Sequence, residues 1–423
     1  MASIARKNLF EDIPRFLVAQ AGIVFAVSLV TIQVGILRGF TRGTALLIDQ
    51  SKADIWVGSA DMVQMELTSP LPLEQLLQAR KVPGVALAEA LVVSSSRWRT
   101  PDKTVPPTKR ITPVRIFGFN PKGQLFAPEP ITQGSLSALT EPYTVIVDES
   151  NQQSLNLKQL GAVGTIASLK AKLVGTTQGT QSIASSTYIF TSLESAKAYA
   201  QSGISPEVNC RLQDGNIRCN SNYDITSTAI GVDNLTPPVP EKLSATDPIS
   251  YILVKATPNQ NLKTLKQALE KALPGTRAFT RLEMAQQTRD FWQKRTGVGF
   301  VLGLGATVGV IVGMVIVSQI LYSSVSDHLK EFGTLKAMGA SDWVIYGVIL
   351  EQALWMAVLG YIPGILLCLG LGSWTLATQG IIILITPLTA GGVLLVTVSM
   401  CIGSALFAIQ KVTHVDPAIV FKA

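Results

Sequence analysis

From Thr296 to Ser326 the chain runs 31 residues without a charged side chain, and Glu351 is the only charge between Asp342 and Lys411. Runs this long and apolar match the thickness of a bilayer, where the backbone satisfies its own hydrogen bonds only as a helix or a closed barrel. A further run of 22 uncharged residues, Phe16 to Leu37, lies between Arg15 and Arg38 and is about 33 Å long as a helix. Four spans are predicted: 16–37, 296–325, 343–371 and 387–410. A signal peptide is the rival reading of the first, but the run is too long and no small-residue cleavage site closes it. Thr386-Pro387 fits a cap followed by proline at the first helical position, opening the fourth span. The preceding 372–386 is uncharged but broken, GSWTLATQGIIILIT, and reads as a short external interfacial segment.

Hydrophobic residues make up 47% of the chain and charged ones 15%, against about 25% charged in a soluble chain. The stretch 38–295 holds 28 of the Lys and Arg and 21 of the Asp and Glu, so the whole net charge of +7 sits there. It contains no Lys/Arg run interleaved with aromatics, so a nucleic-acid partner has no support. A basic surface toward anionic lipid or an acidic partner, or simply a soluble surface, are the readings left.

Within 38–295 the pattern is α+β. GFTRGTALLIDQSK continues with helical character after Leu37, and Ala53 to Gly58 reads as a strand. Pro70-Leu71-Pro72 then opens a helix through Lys81, and Pro83-Gly84 leads into a strand from Val85 to Trp98. A second β-α-β unit follows downstream: strand Tyr251–Ala256, helix Asn261–Leu273, stop at Pro274-Gly275, strand Thr276–Thr280. Two such units predict a split, ferredoxin-like subdomain. Strands at Val114–Phe119, Tyr143–Asp148, Thr165–Val174 and Ser186–Thr191 predict an inserted β-rich subdomain. From Arg281 a polar helical pattern runs without a breaker into the apolar Thr296–Val325, as a stalk leaving the membrane.

Cys210 and Cys219 bracket RLQDGNIR. If Asp214-Gly215 is a two-residue turn, the two cysteines stand opposite each other in the closer register, within disulfide reach, and an extracytoplasmic disulfide is expected. Cys368 and Cys401 lie in apolar runs and read as small buried hydrophobes.

The polar stretch 326–342, SDHLKEFGTLKAMGASD, is trapped between two spans and must face water. Leu329, Phe332, Leu335 and Met338 recur every three residues, a stripe that drifts around a helix, and Lys336 shares the side of Leu329. From pattern alone a docking helix and a solvated loop are both open. The segment Glu331-Phe332-Gly333-Thr334-Leu335-Lys336-Ala337-Met338-Gly339-Ala340 resembles the E-I-G-x-L-[KR]-A-[LM]-G-A signature of the MacB/FtsX/LolE family of ABC-transporter permeases, with Phe332 where Ile is usual. The tail His414 to Lys422 is similar to the D-P-x-x-x-[LF]-[RK] ending of the same family. The opening LFEDIPRFLVAQAGIVFA looks most like the DevC branch of cyanobacterial exporters.

The resemblance implies a mechanotransmission permease of an ABC exporter in the plasma (inner) membrane, with both termini cytosolic. Its parts would be a cytosolic interfacial helix at 1–15, a periplasmic domain with stalk extensions at 38–295, a coupling helix at 326–342 and a cytosolic tail at 411–423. ATPase coupling would fall to His328, Leu329, Glu331, Phe332, Gly333, Leu335, Lys336, Met338, Gly339 and Ala340. The implied partners are a cytosolic ABC ATPase, a second copy of the chain, a periplasmic adaptor, a TolC-like outer-membrane channel and membrane lipid. The cargo would be a lipid, glycolipid or other hydrophobic molecule. An FtsX-like regulator of a cell-wall hydrolase, moving no substrate, is the alternative.

No Gly-Lys dipeptide occurs, so there is no phosphate-binding P-loop. The chain is expected to be no enzyme and to bind no cofactor, with ATP and Mg handled by the partner ATPase. The histidines, His328 and His414, have no cysteine or carboxylate cluster at ligand spacing, so neither a metal site nor a catalytic triad is expected. Glu351 is an intramembrane acid, read as structural or coupling rather than proton-carrying. Gly305, Gly309 and Gly313 repeat every four residues, as do Gly299 and Gly303. Such spacing permits close helix approach, although glycine is also simply common in spanning helices.

Overall fold

The computed structural model describes residues 13–100, 106, 110–202, 207–213, 216–222, 239–328, 331, 333–334, 338–379 and 383–413. Two compact units result, one from 41–295 and one from 1–40 with 296–423.

Helix α1, Ile13–Gln50, continues unbroken past Leu37. Strand β1 (Ile55–Ser59) is followed by the two-residue β2 (Leu71–Pro72) and by α2, Glu74–Ala79. The helix predicted from Pro70 is therefore shorter, because Leu71 and Pro72 pair with Ile249 and Pro248 instead. Strand β3 (Val85–Arg99) is 15 residues long, and β4 spans Ile111–Phe119. Then come β5 (Ile131–Gly134), β6 (Thr144–Asp148), β7 (Val163–Ile166) and β8 (Leu169–Thr177). The single strand expected from Thr165 to Val174 is thus a hairpin, turning where Ala167 takes φ 52°.

After β9 (Thr187–Ser192) comes α3, Leu193–Gln201, a helix absent from the sequence prediction. Its cap is Ser192, whose hydroxyl accepts the Ser195 N–H. The hairpin β10 (Glu207–Gln213) and β11 (Asn216–Asn222) places Cys210 opposite Cys219 in its backbone register. The sulfurs and the Asp214-Gly215 turn lie outside the described residues.

The domain closes with β12 (Pro248–Ile249), β13 (Tyr251–Ala256), α4 (Leu262–Ala272), β14 (Thr276–Thr280) and α5 (Arg281–Thr296). The Asn261 side chain caps α4 by accepting from the N–H groups of Lys263 and Thr264. Gly84 and Gly275, at φ 94° and 75°, make the turns after α2 and α4, a backbone region that only glycine enters freely.

Ten of the described strands form one sheet, nine in the order β14-β1-β13-β3-β4-β9-β6-β8-β5 with β7 off this path, while β10 pairs with β11 and β12 with β2. The two β-α-β units interleave: β1 lies between β14 and β13, and β13 pairs with β3, all antiparallel. The β-rich part expected as an inserted subdomain is continuous with them through β3, whose first half pairs with β13 and second half with β4. There β7 bonds both β3 and β8, so β3, β4, β9, β6, β8 and β7 close into a six-stranded ring. Closure removes exposed strand edges. Trp98 is fully buried and donates its indole N–H to the Leu155 carbonyl at 3.1 Å. A Cβ at Gly164 would lie 2.0 Å from that indole, so only glycine fits.

In the other unit, α6 spans Val298–Asp327, α7 Asp342–Gln379 and α8 Pro387–Thr413. Four helices are long and apolar enough to cross a membrane: Phe16–Gln50, Val298–Asp327, Trp343–Thr375 and Pro387–Phe407. Two sequence expectations are corrected here. The stalk helix is interrupted at Gly297, which takes φ 62° between α5 and α6. Residues 372–379, read as an external segment, continue α7 as helix. At α8, Thr386 and Thr389 cap reciprocally, each hydroxyl accepting the other's backbone N–H at 3.2 Å.

Candidate coupling segment and helix-packing interfaces

Helix α6 ends where the His328 N–H reaches back to the Ser324 carbonyl at 3.2 Å. The Glu331 N–H reaches back to the His328 carbonyl at 3.1 Å. His328 and Glu331 meet at 3.3 Å between Nδ1 and Oε1. Residues 331, 333 and 334 are helical, Gly333 is buried, and the Thr334 hydroxyl donates to the Glu331 carbonyl at 3.0 Å. The Met338 N–H closes the turn on the Thr334 carbonyl, and Gly339 follows at φ 92°. A left-handed glycine is the commonest helix stop, because any side chain there strains the backbone. Ser341 accepts the Val344 N–H at 3.0 Å as α7 begins. Met338 is 76% exposed and Trp343 80%. Ala340 lies at the exit of the turn, half-buried. Leu329, Phe332, Leu335 and Lys336 lie outside the described residues, as does His414.

The described glycines of α6 divide into two groups. Cβ atoms built on Gly305, Gly309 and Gly313 would fall 2.6 Å from Gln33 Nε2, 3.0 Å from Leu29 Cδ2 and 2.7 Å from Ala26 Cβ. The partners descend along α1 as the glycines ascend α6, as in an antiparallel crossing at close range. Gly299 and Gly303 meet nothing within 4 Å.

A second interface is formed by Gly360, Gly364 and Cys368, residues not among the helix-packing residues expected from the sequence. Cβ atoms on Gly360 and Gly364 of α7 would lie 2.4 Å from Ile23 Cγ2 and 2.7 Å from Val27 Cγ1 of α1. One turn further, the Cys368 thiol donates to the Ser28 carbonyl at 3.6 Å, and the Ser28 hydroxyl reaches the Gly364 carbonyl at 3.5 Å. The i, i+4, i+8 spacing of Gly360, Gly364 and Cys368 was the available signal. Ser404 of α8 donates to the Met314 carbonyl of α6 at 2.9 Å, and Tyr361 of α7 to the Ala390 carbonyl of α8 at 2.9 Å. Arg38 donates to the Thr386 hydroxyl at 3.2 Å, and the Leu384 N–H to the Gly35 carbonyl at 3.1 Å. Around these contacts Ile23, Val27, Val317, Leu321, Ile349 and Met356 form the buried helical core.

Glu351 lies about 14 Å along α7 from Asp342 at 1.5 Å per residue. It is half-buried, beside the fully packed Gln352 at 2% exposure. Among the described residues no three His, Cys, Asp or Glu side chains converge as metal ligands. The geometry offers packing, a turn of fixed conformation and an exposed apolar side chain beside it.

Residues 16–272 match the MacB-like periplasmic core domain, and residues 303–417 match the FtsX-like permease C-terminal domain. The pyoverdine export ATP-binding/permease protein PvdT of Pseudomonas syringae pv. syringae is 24% identical over 180 residues, 42% of this chain and 27% of its own length. Its counterpart in Pseudomonas savastanoi pv. phaseolicola is 25% identical over 171 residues, 40% of this chain and 26% of its own. The chain thus spans about a quarter of the length of these relatives. The periplasmic region of MacB from Actinobacillus actinomycetemcomitans aligns with 56% of this chain and 92% of its own, at TM-score 0.33 and 10% identity. The extracellular domain of YknZ from Gram-positive bacteria aligns with 54% and 99%, at TM-score 0.31 and 11% identity. With one family domain covering more than half of its length and the other residues 303–417, the chain belongs to the MacB/FtsX family of ABC-transporter permeases.

Proposed function

We propose that this permease works as the moving part of an exporter whose ATP is hydrolysed by a separate subunit. The segment His328–Ala340 docks into that ATPase on the cytosolic side. Paired copies of the chain carry the resulting motion through α1 and α6 to the 41–295 domain, which acts outside the membrane on an adaptor or on cargo. Both termini are cytosolic, and the cargo is a lipid, glycolipid or other hydrophobic molecule passed through an adaptor to a TolC-like outer-membrane channel, as in the DevC branch. Cys210 and Cys219 form a disulfide in the oxidising compartment.

The observation that carries this reading is the turn at Met338–Gly339, a positive-φ glycine with an exposed apolar side chain beside it, in the polar segment between α6 and α7. The export named for the pyoverdine relatives supports transport over regulation.

Two variants test it. Leu335→Asp places a charge in the apolar stripe, where truncating a buried anchor typically weakens binding by about 2 kcal/mol or more. Gly339→Val puts a β-branched residue at φ 92°. Both are expected to lower ATPase recruitment and export while the external domain still binds its adaptor. Full recruitment and export by both variants overturns the coupling assignment. Co-purification of a cell-wall hydrolase, in place of an adaptor and channel, overturns the export assignment.

A further inference from the structure

Along the free edge of β14, α4 and α5 enclose an open groove of about 870 Å³. Its acids are already engaged. Glu270 accepts the Ala278 N–H at 2.9 Å, and Glu283 accepts the Thr280 N–H at 2.8 Å together with the Lys266 ammonium. Asp290 accepts from the Gln286 amide at 2.7 Å. Burial pulls the Glu283 carboxyl upward, but Lys266 and the Thr280 N–H outweigh it and hold it below its ordinary value, so it stays ionised. The third outward N–H of the strand, at Thr276, is taken by the Leu273 carbonyl. The edge is therefore closed to an added strand.

Three of the groove's four cations are not paired with its acids. The Lys263 and Lys294 amines have no acceptor among the described residues, and Arg277 lies over the Phe279 ring at 5.0 Å without an ion pair. Val63 and Phe291 supply apolar wall to the same groove. Four cations, Lys263, Lys266, Arg277 and Lys294, against three acids, Glu270, Glu283 and Asp290, leave the lining with a net positive charge of one.

Chain connectivity bounds the Lys294 end of the groove. Lys294 is four residues before Val298, the first residue of a membrane-length helix, so it lies within about 14 Å of it even if the link were fully extended. Phe291 and Trp292 form an edge-to-face pair at 5.7 Å, and Arg295 lies over the Phe291 ring at 6.0 Å. Aromatic and basic side chains grouped next to a span are the usual occupants of the headgroup layer.

We propose that this groove binds the anionic headgroup of a membrane lipid, with Lys263, Arg277 and Lys294 on the headgroup charge and Phe291 and Val63 against its glycerol and upper acyl carbons. The inference rests on α6 spanning the membrane and not on coupling to an ATPase, so it stands or falls separately from the proposed export function. The experiment is lipid retention by the purified full chain in neutral detergent, with phosphatidylglycerol and phosphatidylcholine compared by native mass spectrometry. Phosphatidylglycerol is expected to bind saturably and selectively. Lys263→Gln with Lys294→Gln is expected to weaken it roughly tenfold, since each cation near an anionic headgroup contributes a sizeable share of the attraction. Lys271→Gln, on the same helix but outside the groove, is the control and leaves retention unchanged. Equal retention of the two lipids overturns the proposal, as does an equal loss from Lys271→Gln. Displacement of the lipid by inorganic phosphate at matching concentration also overturns it, because the ligand would then be a soluble anion.

Discussion

Four glycines of α7 set up a matched comparison, Gly360→Ala and Gly364→Ala against Gly347→Ala and Gly370→Ala. Each change adds one methyl to a helix interior and, by propensity alone, each stabilises the helix by up to about 1 kcal/mol. What differs is the neighbour. The new Cβ at Gly360 would sit 2.4 Å from Ile23 Cγ2 and 2.8 Å from Ile23 Cβ, and at Gly364 2.7 Å and 3.0 Å from Val27 Cγ1 and Cβ. Those atoms belong to β-branched side chains fixed at their first carbon, so relief requires the backbones of α1 and α7 to separate. Nothing lies within 4 Å at Gly347 or Gly370. The propensity gain is common to all four and cancels, leaving an overpacking difference of about 1–3 kcal/mol against Gly360→Ala and Gly364→Ala. Unfolding in neutral detergent, followed by far-UV circular dichroism against added sodium dodecyl sulfate, measures the gap. If all four variants unfold together, or the two packed sites become more stable, the close α1–α7 contact is refuted.

Glu66 is a second pressure point: its 4%-exposed carboxylate takes Arg115 Nε at 3.1 Å, the Ser185 hydroxyl at 2.6 Å and the Tyr188 hydroxyl at 2.7 Å. Glu66→Ala strands these donors and should destabilise the 41–295 domain by about 3–5 kcal/mol, read as a lowered midpoint in urea; a change below about 1 kcal/mol would show that water replaces the carboxylate. Lys197, at 2.8 Å, and the Ser244 N–H hold the Asp247 carboxyl below its ordinary value. Its stabilising effect is therefore complete above the unfolded pKa of about 3.9 and is lost as pH falls through the depressed folded value. Asp247→Asn should remove that part of the acid-side loss, and an unchanged stability–pH curve below pH 4 would count against the pair. Non-reducing peptide mapping is expected to recover Cys210 linked to Cys219, the small loop contributing about 2–3 kcal/mol. Two free thiols in protein from an oxidising compartment would refute the pairing.

Much of this organisation could be read from the chain alone. The uncharged runs announced four spanning helices because neither a strand nor a core helix needs so many consecutive apolar residues. Pro83-Gly84 and Pro274-Gly275 marked turns through backbone chemistry confined to those residues, and both glycines take positive φ. The polar stretch between α6 and α7 stood out because its neighbours cannot leave the bilayer. These signals are local. The features decided only in three dimensions are pairings between distant residues. Nothing near Val163 foretells that β7 bonds both β3 and β8 and so closes the six-stranded ring, since closure depends on where two other strands lie. The carboxylate of Glu66 finds its partners 49 and 122 residues away at Arg115 and Tyr188. Gly297 sits in a sequence with no other breaker, and its left-handed conformation ends a helix that periodicity continued. Glycines at the same fourfold spacing meet α1 at Gly305, Gly309 and Gly313 but open space at Gly299 and Gly303. Spacing assigns residues to a face of a helix, and only tertiary packing determines which face, over which turns, another helix covers.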